Sequence, residues 1–412
     1  MDSVPANCGD RFMLLLSPMD EENCNIGAAI RFNGPLPAHD HFRQLANAAI
    51  AAVPALRYRL TGPLPTAQWT PLEELDPDRH IEYHRIPPGA NLYDAVMRAR
   101  CTLLPKDQPL WRAHIIHGYS TDEYTLCYQA HHAFQDGMSA VATLRATLTG
   151  RPLQPPTLTR HPGRSTLCGA LRTLAAQRPY PTDPRWRPPA TTTNIPLLDV
   201  ADLDPNILHE VAERTGSTIA HVTLAAVAGA LHDWNPTRQG KPRDWRRRNI
   251  YLSVPTGFGN GRRNGALGNH SCIVSLTLPG GDPSPYRRLQ AIREGLTLQH
   301  IVHARRNQAF IERLGFLPAL IAASALAFAA PLVAPGLVTF TMLPTQTIDI
   351  PGAIDLFAVP PLPFHAGADF IALHTSTGVN VACAMNADLP DVGQIPTLIQ
   401  HALDELHSAL GG

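Results

Sequence analysis

Lysine is almost missing from this 412-residue chain: Lys106 and Lys241 are the whole set, and arginine supplies the rest of the 34 basic residues. These are balanced by 34 Asp and Glu, so the formal charge is zero with His neutral. Without a net positive field, duplex nucleic acid is excluded as the main partner, because binding it needs a basic footprint that displaces counterions. The one basic run, Arg243 to Arg248 (RDWRRR), reads as a solvated loop or, alternatively, as a phosphate or carrier-protein docking patch. Cysteine is sparse too. Cys8, Cys24, Cys101, Cys127, Cys168, Cys272 and Cys383 are odd in number and contain no CxxC pair, which speaks against a disulfide framework and for reduced core thiols in a cytosolic protein. The opening MDSVPANCGDRFMLLL lacks a basic n-region, a long apolar h-region and a small-residue cleavage site, so no secretion signal is expected. No GxSxG nucleophile elbow occurs.

An unbroken membrane-length run is also lacking. No charged residue occurs from Gly315 to Ile348, but Pro318, Pro331, Pro335 and Gly336 interrupt the stretch. A buried or surface-docking helix of roughly three turns, then a turn and a strand, is the expectation, with monotopic membrane contact left open. What is abundant is apolar surface: 44% of the residues are hydrophobic, enough for more than one core.

Strand-like and helix-like patterns alternate through the first 150 residues. Strands are expected at Ile26 to Phe32, Ile81 to Ile86, Trp111 to His117 and Tyr124 to Ala130, with helices at Ala38 to Ala52, Leu92 to Leu104 and Asp136 to Leu148. A proline-dense stretch over 151–196 reads as a crossover linker. Beyond it the mixed pattern resumes, with helices near 203–214, 218–233, 283–301, 304–313 and 392–409. Strands are expected near 249–254, 271–278, 337–342, 354–359, 369–375 and 378–385. The expected architecture is therefore α/β, an α+β sandwich of two lobes, 1–150 and 197–412.

The chemistry concentrates in His131-His132-Ala133-Phe134-Gln135-Asp136-Gly137, where a strand ends and a helix begins. Such a junction projects side chains into a cleft, and an imidazole held there titrates near neutral pH. Taken singly, His131 also reads as a hydrogen-bonded core histidine and Asp136 as the N-cap of the following helix. Adjacent strand histidines point to opposite faces, so the motif is a poor metal site.

HHAFQDG resembles the HHxxxDG motif of the chloramphenicol acetyltransferase-like superfamily, which includes peptide-synthetase condensation domains and the bacterial wax ester synthase/diacylglycerol acyltransferases. The last group matches best over nearly the whole length. Its Ser-Pro-x-Asp element is similar to Leu16-Ser17-Pro18-Met19-Asp20, its Pro-Leu-Trp element to Pro109-Leu110-Trp111, and its Gly-Asn…Leu-Pro element to Gly268-Asn269 with Leu278-Pro279. The closing block, Ile350 to Asp391, has the same character. Two elements depart: an Asn-Asp pair is replaced by Ala220-His221, and a Ser-Asn-Val-Pro-Gly-Pro loop by Phe340-Thr341-Met342-Leu343-Pro344-Thr345.

The resemblance implies two chloramphenicol acetyltransferase-like lobes with an active-site tunnel between them, and an acyltransferase without a bound cofactor. Its donor would be acyl-CoA or a phosphopantetheine-linked acyl group, and its acceptor the hydroxyl of a lipid alcohol or specialised metabolite. His132 would be the general base beside His131, with no covalent acyl-enzyme. Asp136 would hold the loop, usually against an arginine; Gly137 would leave room for the thioester; and Thr341 is the candidate oxyanion donor. Trp111 and Asn269 are the candidate substrate-side residues, read as core support for the motif strand and as shaping the lobe interface. The alternatives are a free-standing condensation-type enzyme forming an amide with an acyl or peptidyl carrier protein, and a non-catalytic or repurposed binding scaffold. A further reading, with His131 and Asp136 as an HxxxxD pair, would make His131 the base.

Overall fold

A computed structural model describes residues 1–153, 195–234, 250–257, 266–278, 282–313, 315–333, 338–344, 350, 352–362, 367–374 and 378–411. The proline-rich crossover, the Arg243 to Arg248 run, Cys168, Pro335 and Thr345 fall outside the described residues, as do the side chains of Met19 and Asp20.

The first half folds in chain order as β1 (Val4–Pro5), α1 (Cys8–Asp20), β2 (Asn25–Asn33), α2 (His39–Ala52), β3 (Tyr58–Thr61), β4 (Gln68–Pro71), β5 (Ile81–Arg85), α3 (Leu92–Arg100), β6 (Trp111–His117), β7 (Glu123–His131) and α4 (Gly137–Thr149). The second half contributes β8 (Leu197–Leu203), α5 (Pro205–Thr215), α6 (Ile219–Trp234), β9 (Ile250–Gly257), β10 (Ser271–Leu278), α7 (Pro285–Gly295), α8 (Leu298–Arg313) and α9 (Phe316–Val333). It closes with β11 (Val338–Pro344), β12 (Ala353–Val359), β13 (Ala368–His374), β14 (Val379–Met385) and α10 (Ile395–Ser408).

Two main sheets result. One has five strands in the order β12-β2-β7-β6-β5, the other six in the order β10-β9-β11-β13-β14-β8. β12, from the second half, therefore completes the first-half sheet, pairing antiparallel with β2 from Ala353↔Phe32 to Val359↔Gly27. The two lobes are not separable segments of sequence.

β7 explains how the sheet is buried on both faces. Leu126, Tyr128 and Ala130 point into a core with Phe42 and Ala49 of α2 and Ala140 and Leu144 of α4. Cys127, on the opposite face, joins Val96 and Met97 of α3 and, from the second sheet, Leu343, Ile371, Ala382 and Ala384. This shared apolar layer fastens the lobes. A third core lies wholly in the second lobe, where α6 and α10 cover β13 and β14.

Most expected elements appear, with four differences. α3 stops at Arg100, where its cap Cys101 begins a turn, rather than at Leu104. The break between α7 and α8 falls at Leu296-Thr297, not after 301, because Gly295 weakens one helix end and the Thr297 hydroxyl accepts from the His300 amide to start the next. α1 forms across the apolar run before Ser17, with Pro18 near its C-terminal end. Finally, the apolar segment makes an 18-residue helix, α9, five turns rather than three. Pro318 sits in its first turn, where no intrahelical donor is needed. At about 1.5 Å per residue α9 falls short of a roughly 30 Å hydrocarbon core, and among the described residues no helix is long and apolar enough to cross a membrane. It docks on α1 with Ala319 and Ala323 buried, while Leu317, Leu320 and Ile321 face solvent. The six described cysteines are all free and buried.

Candidate active site

His131 closes β7, and the chain turns into α4 through Asp136, whose Oδ1 accepts from the Ser139 amide at 2.9 Å as an N-cap. Two backbone bonds set the turn's position: the His131 amide donates to Leu110 O and the His132 amide to Cys24 O, each at 2.9 Å. Leu110 and Cys24 precede β6 and β2, the two neighbours of β7, so the motif is held between both flanking strands.

The histidines differ sharply. His131 is 4% exposed and uses both ring nitrogens. Its Nδ1 accepts from the Ala133 amide at 3.0 Å, so Nε2 carries the proton and donates to Ser17 Oγ at 2.8 Å. Ser17 in turn donates to Met13 O at 3.0 Å. Burial pushes the His131 pKa down to about 3, helped by the nearby His132 and Lys106 charges. A ring that stays neutral with both nitrogens committed cannot shuttle a proton. His131 is thus a positioning residue, which removes the reading that makes it the base. It is equally unable to join His132 and Asp136 around a metal ion.

His132 keeps its chemistry. It is partly exposed, and its Nδ1 is enclosed without a hydrogen-bond partner. Burial lowers its pKa from the usual 6.5; its own carbonyl, the Asp136 carboxylate and the Gln135 carbonyl oppose that shift by favouring the protonated ring. Burial thus favours the neutral ring, and the Asp136 carboxylate is the charge that favours the protonated one.

The loop Leu267-Gly268-Asn269-His270 closes the site from the second half. Its three successive amides each find an acceptor in the first half: Gly268 N donates to Phe134 O at 2.6 Å, Asn269 N to Asp10 Oδ1 at 2.7 Å, and His270 N to Asp136 Oδ2 at 3.0 Å. Gly268 adopts φ +88, and a Cβ there would lie 3.1 Å from both Asn7 Nδ2 and Asp10 Oδ1, so glycine is needed for both conformation and space. Asn269 is 8% exposed, with Oδ1 accepting from the Ser271 amide at 3.1 Å. It shapes the junction of the two halves rather than facing a substrate.

Asp10 is the residue that sequence reasoning missed. It is the third residue of α1 and forms a reciprocal capping box with Asn7: Asp10 N donates to Asn7 Oδ1 at 2.8 Å, and Asn7 N to Asp10 Oδ2 at 3.0 Å. Oδ2 also accepts from Trp69 Nε1 at 2.8 Å. Burial raises the Asp10 pKa, against the pull of His270 and these donors. The N-x-x-D spacing before an apolar run was the available signal.

Trp111 is also core. It is 2% exposed, donates from Nε1 to Leu56 O at 2.9 Å and stacks on His80 at 4.1 Å, so it braces β6. His221 caps α6 with Thr218 and reaches Leu296 O at 3.1 Å. On β11, Leu343 lies 3.5 Å from where a Gly137 Cβ would stand. Thr341, two residues earlier and partly buried, shares that face of the strand. The structure thus gathers His131, His132, Asp136, Gly137 and Asn269 at one place, with Thr341 on the same face of β11 as Leu343 and Trp111 paired opposite Ala130 in the sheet.

Ser17→Ala removes the group that fixes the His131 ring. The expected result is a loss of about 1 kcal/mol in stability, with kcat reduced several-fold and KM little changed. A matching fall in KM-dependent binding alone would contradict a positioning role.

Comparisons with known proteins agree with this arrangement. Residues 10–226 match the wax ester synthase/diacylglycerol acyltransferase catalytic domain. A Mycobacterium tuberculosis protein assigned as a diacylglycerol O-acyltransferase is 27% identical over 329 residues, covering 67% of this chain and 63% of that protein. The chain therefore spans less than two thirds of that relative's length. A second such protein from the same organism is 29% identical over 160 residues, 35% of this chain and 36% of the relative. Among solved structures, a wax ester synthase/diacylglycerol acyltransferase from Marinobacter aquaeolei VT8 superposes with TM-score 0.64 at 18% identity, covering 99% of this chain and 100% of that one. The first condensation domain of the calcium-dependent antibiotic synthetase gives 0.65 at 18% identity, covering 100% and 97%. These structures share the two-lobed chloramphenicol acetyltransferase-like fold. With more than half of its length matched by one family model and the HHxxxDG turn built as described, the chain belongs to the wax ester synthase/diacylglycerol acyltransferase family.

Proposed function

We propose that this protein is an acyltransferase that moves an acyl group from a thioester to an acceptor hydroxyl, with His132 as general base. The observation that carries the reading is the contrast within the histidine pair: one ring is held by hydrogen bonds at both nitrogens, and the other is partly exposed with its pKa lowered by burial. In the proposed step, Nε2 takes the hydroxyl proton as the acceptor oxygen bonds to the thioester carbonyl carbon. The carbonyl oxygen becomes an oxyanion, for which Thr341 is the candidate donor. Collapse re-forms the carbonyl, breaks the carbon–sulfur bond and returns the proton from Nε2 to the departing thiolate. No residue is acylated and no metal or bound cofactor takes part. The donor is acyl-CoA or a carrier-bound acyl thioester, and the acceptor a lipid alcohol or a smaller hydroxylated metabolite.

Thiol release from a panel of acyl-CoA and acyl-carrier donors, each with pooled alcohol and amine acceptors, tests this. Ester formation with the alcohol pool is expected. Turnover confined to carrier-bound donors and amines would move the assignment to condensation chemistry, and no turnover with any donor would favour a binding scaffold.

Gly137 gives a separate handle on the donor path. A methyl group there would meet Leu343 at ordinary van der Waals distance, 3.5 Å, so Gly137→Ala should fold with little change in stability. Activity is expected to fall at least tenfold if the thioester passes over this position; unchanged kcat/KM would place the donor elsewhere.

A further inference from the structure

A second cluster of chemistry lies on β5 and β6, apart from the motif. Parallel pairing sets Glu82 opposite His114, and His84 follows Glu82 by two residues on the same face of β5. One ligand-type atom from each of Glu82, His84 and His114 lies within 4.8 Å of the others. His84 Nε2 is 2.8 Å from His114 Nδ1, and the Glu82 oxygens stand 3.9 Å from each ring.

The tautomer of His114 is fixed by its surroundings. The Gln129 side-chain nitrogen donates to Arg100 O at 2.7 Å and Thr102 O at 2.6 Å, so Oε1 must be the atom facing His114. His114 Nε2, 2.8 Å away, therefore carries the proton, and the lone pair of Nδ1 points toward His84 and Glu82. A metal-bound histidine characteristically donates its other N–H to an oxygen that fixes the ring, and Gln129 already supplies that oxygen. Glu82 is held similarly: Oε2 accepts from Arg112 Nη1 at 2.7 Å, which leaves Oε1 available on the His84 side.

We infer that Glu82, His84 and His114 form a binding site for a divalent ion of the zinc class at the edge of the five-stranded sheet. Two imidazoles and one carboxylate are a common zinc donor set, leaving a fourth position for water. Metal–nitrogen bonds of about 2.0–2.1 Å in a tetrahedron put two ligand nitrogens about 3.4 Å apart. The ring nitrogens, 2.8 Å apart, need to separate by about 0.6 Å, and one Glu82 oxygen needs to close on the pair from within 4.8 Å. The bound ion would replace the His84–His114 hydrogen bond and fasten the edge strand β5 to β6. Through Gln129 it would also couple to β7, the strand that ends in His131.

Co2+ serves as the probe, because its ligand-field absorption reports coordination directly. The full chain, stripped by chelator, is expected to take up one equivalent of Co2+ in a four-coordinate nitrogen–oxygen spectrum that Zn2+ displaces. His114 is fully buried, so the test variants are the more exposed His84→Ala and Glu82→Gln, each expected to weaken binding at least tenfold. Affinity and spectrum indifferent to both variants would assign the ion to other histidines, and no saturable uptake would remove the site; either result overturns the inference. Neither readout depends on acyl transfer.

Discussion

Replacing His132 with alanine is expected to lower kcat/KM for thiol release at least a hundredfold, the lower end of what a positioned general base contributes. The thermal midpoint should barely move, because His132 Nδ1 has no hydrogen-bond partner and what is lost is part of a partly open side chain. A variant that loses activity only in proportion to folded protein would refute the assignment. The wild-type pH profile offers an independent check. The base acts unprotonated, and burial lowers its pKa below 6.5, so activity should hold level from neutral pH downward and fall only as pH drops through that lowered value. A limb centred above neutrality would be incompatible with His132 in this environment. In His132→Ala the limb should vanish.

The second large effect is structural. Asp10→Ala is expected to destabilise the protein by about 3–4 kcal/mol, since each buried donor left without an acceptor costs about 1–3 kcal/mol and partial rehydration recovers some of it. The donors are the amides of Asn7 and Asn269 and the Trp69 indole. Asp10→Asn should recover little, because a carboxamide offers one acceptor oxygen where this site requires two: Oδ1 serves Asn269, and Oδ2 serves Asn7 and Trp69. For a chain this long, an unfolding entropy of roughly 2 cal/mol/K per residue turns that loss into a midpoint about 4 °C lower, and more if one lobe melts alone. Calorimetry decides it: both variants within about 1 °C of wild type would mean that the carboxylate does not hold the halves together. kcat should fall with stability, because the same loop delivers the His270 amide to Asp136.

The contrast between these two sites shows what can be read from sequence. The HHxxxDG turn was legible because it is continuous in sequence and needs only local residues and a strand-to-helix junction. Asp10 was not, because its partners Trp69 and Asn269 are 59 and 259 residues away, and nothing in an Asp within an apolar run announces them. The histidine pair was half legible: the motif nominates both rings, but only the Ser17 and Ala133 contacts show which of the two is locked. Elements followed the same logic. β7 and α4 were visible in local periodicity, whereas α9 outran its expected length because Pro318 falls in its first turn, where a residue without an N–H does not stop a helix. Trp111, expected as core support for the motif strand, is found packed on His80 with its indole donating to Leu56 O.

The pairing of β12 with β2 joins residues more than three hundred positions apart in the chain. During synthesis, β2 leaves the ribosome with one side unpaired, and it keeps that bare edge until more than three hundred further residues have been made. The catalytic turn, built at the end of its neighbour β7, shares that wait. Such long-range closure places this protein among slow folders of high contact order, and it makes the interval before Ala353–Val359 emerges the period when strand Asn25–Asn33 is most open to pairing with the wrong chain.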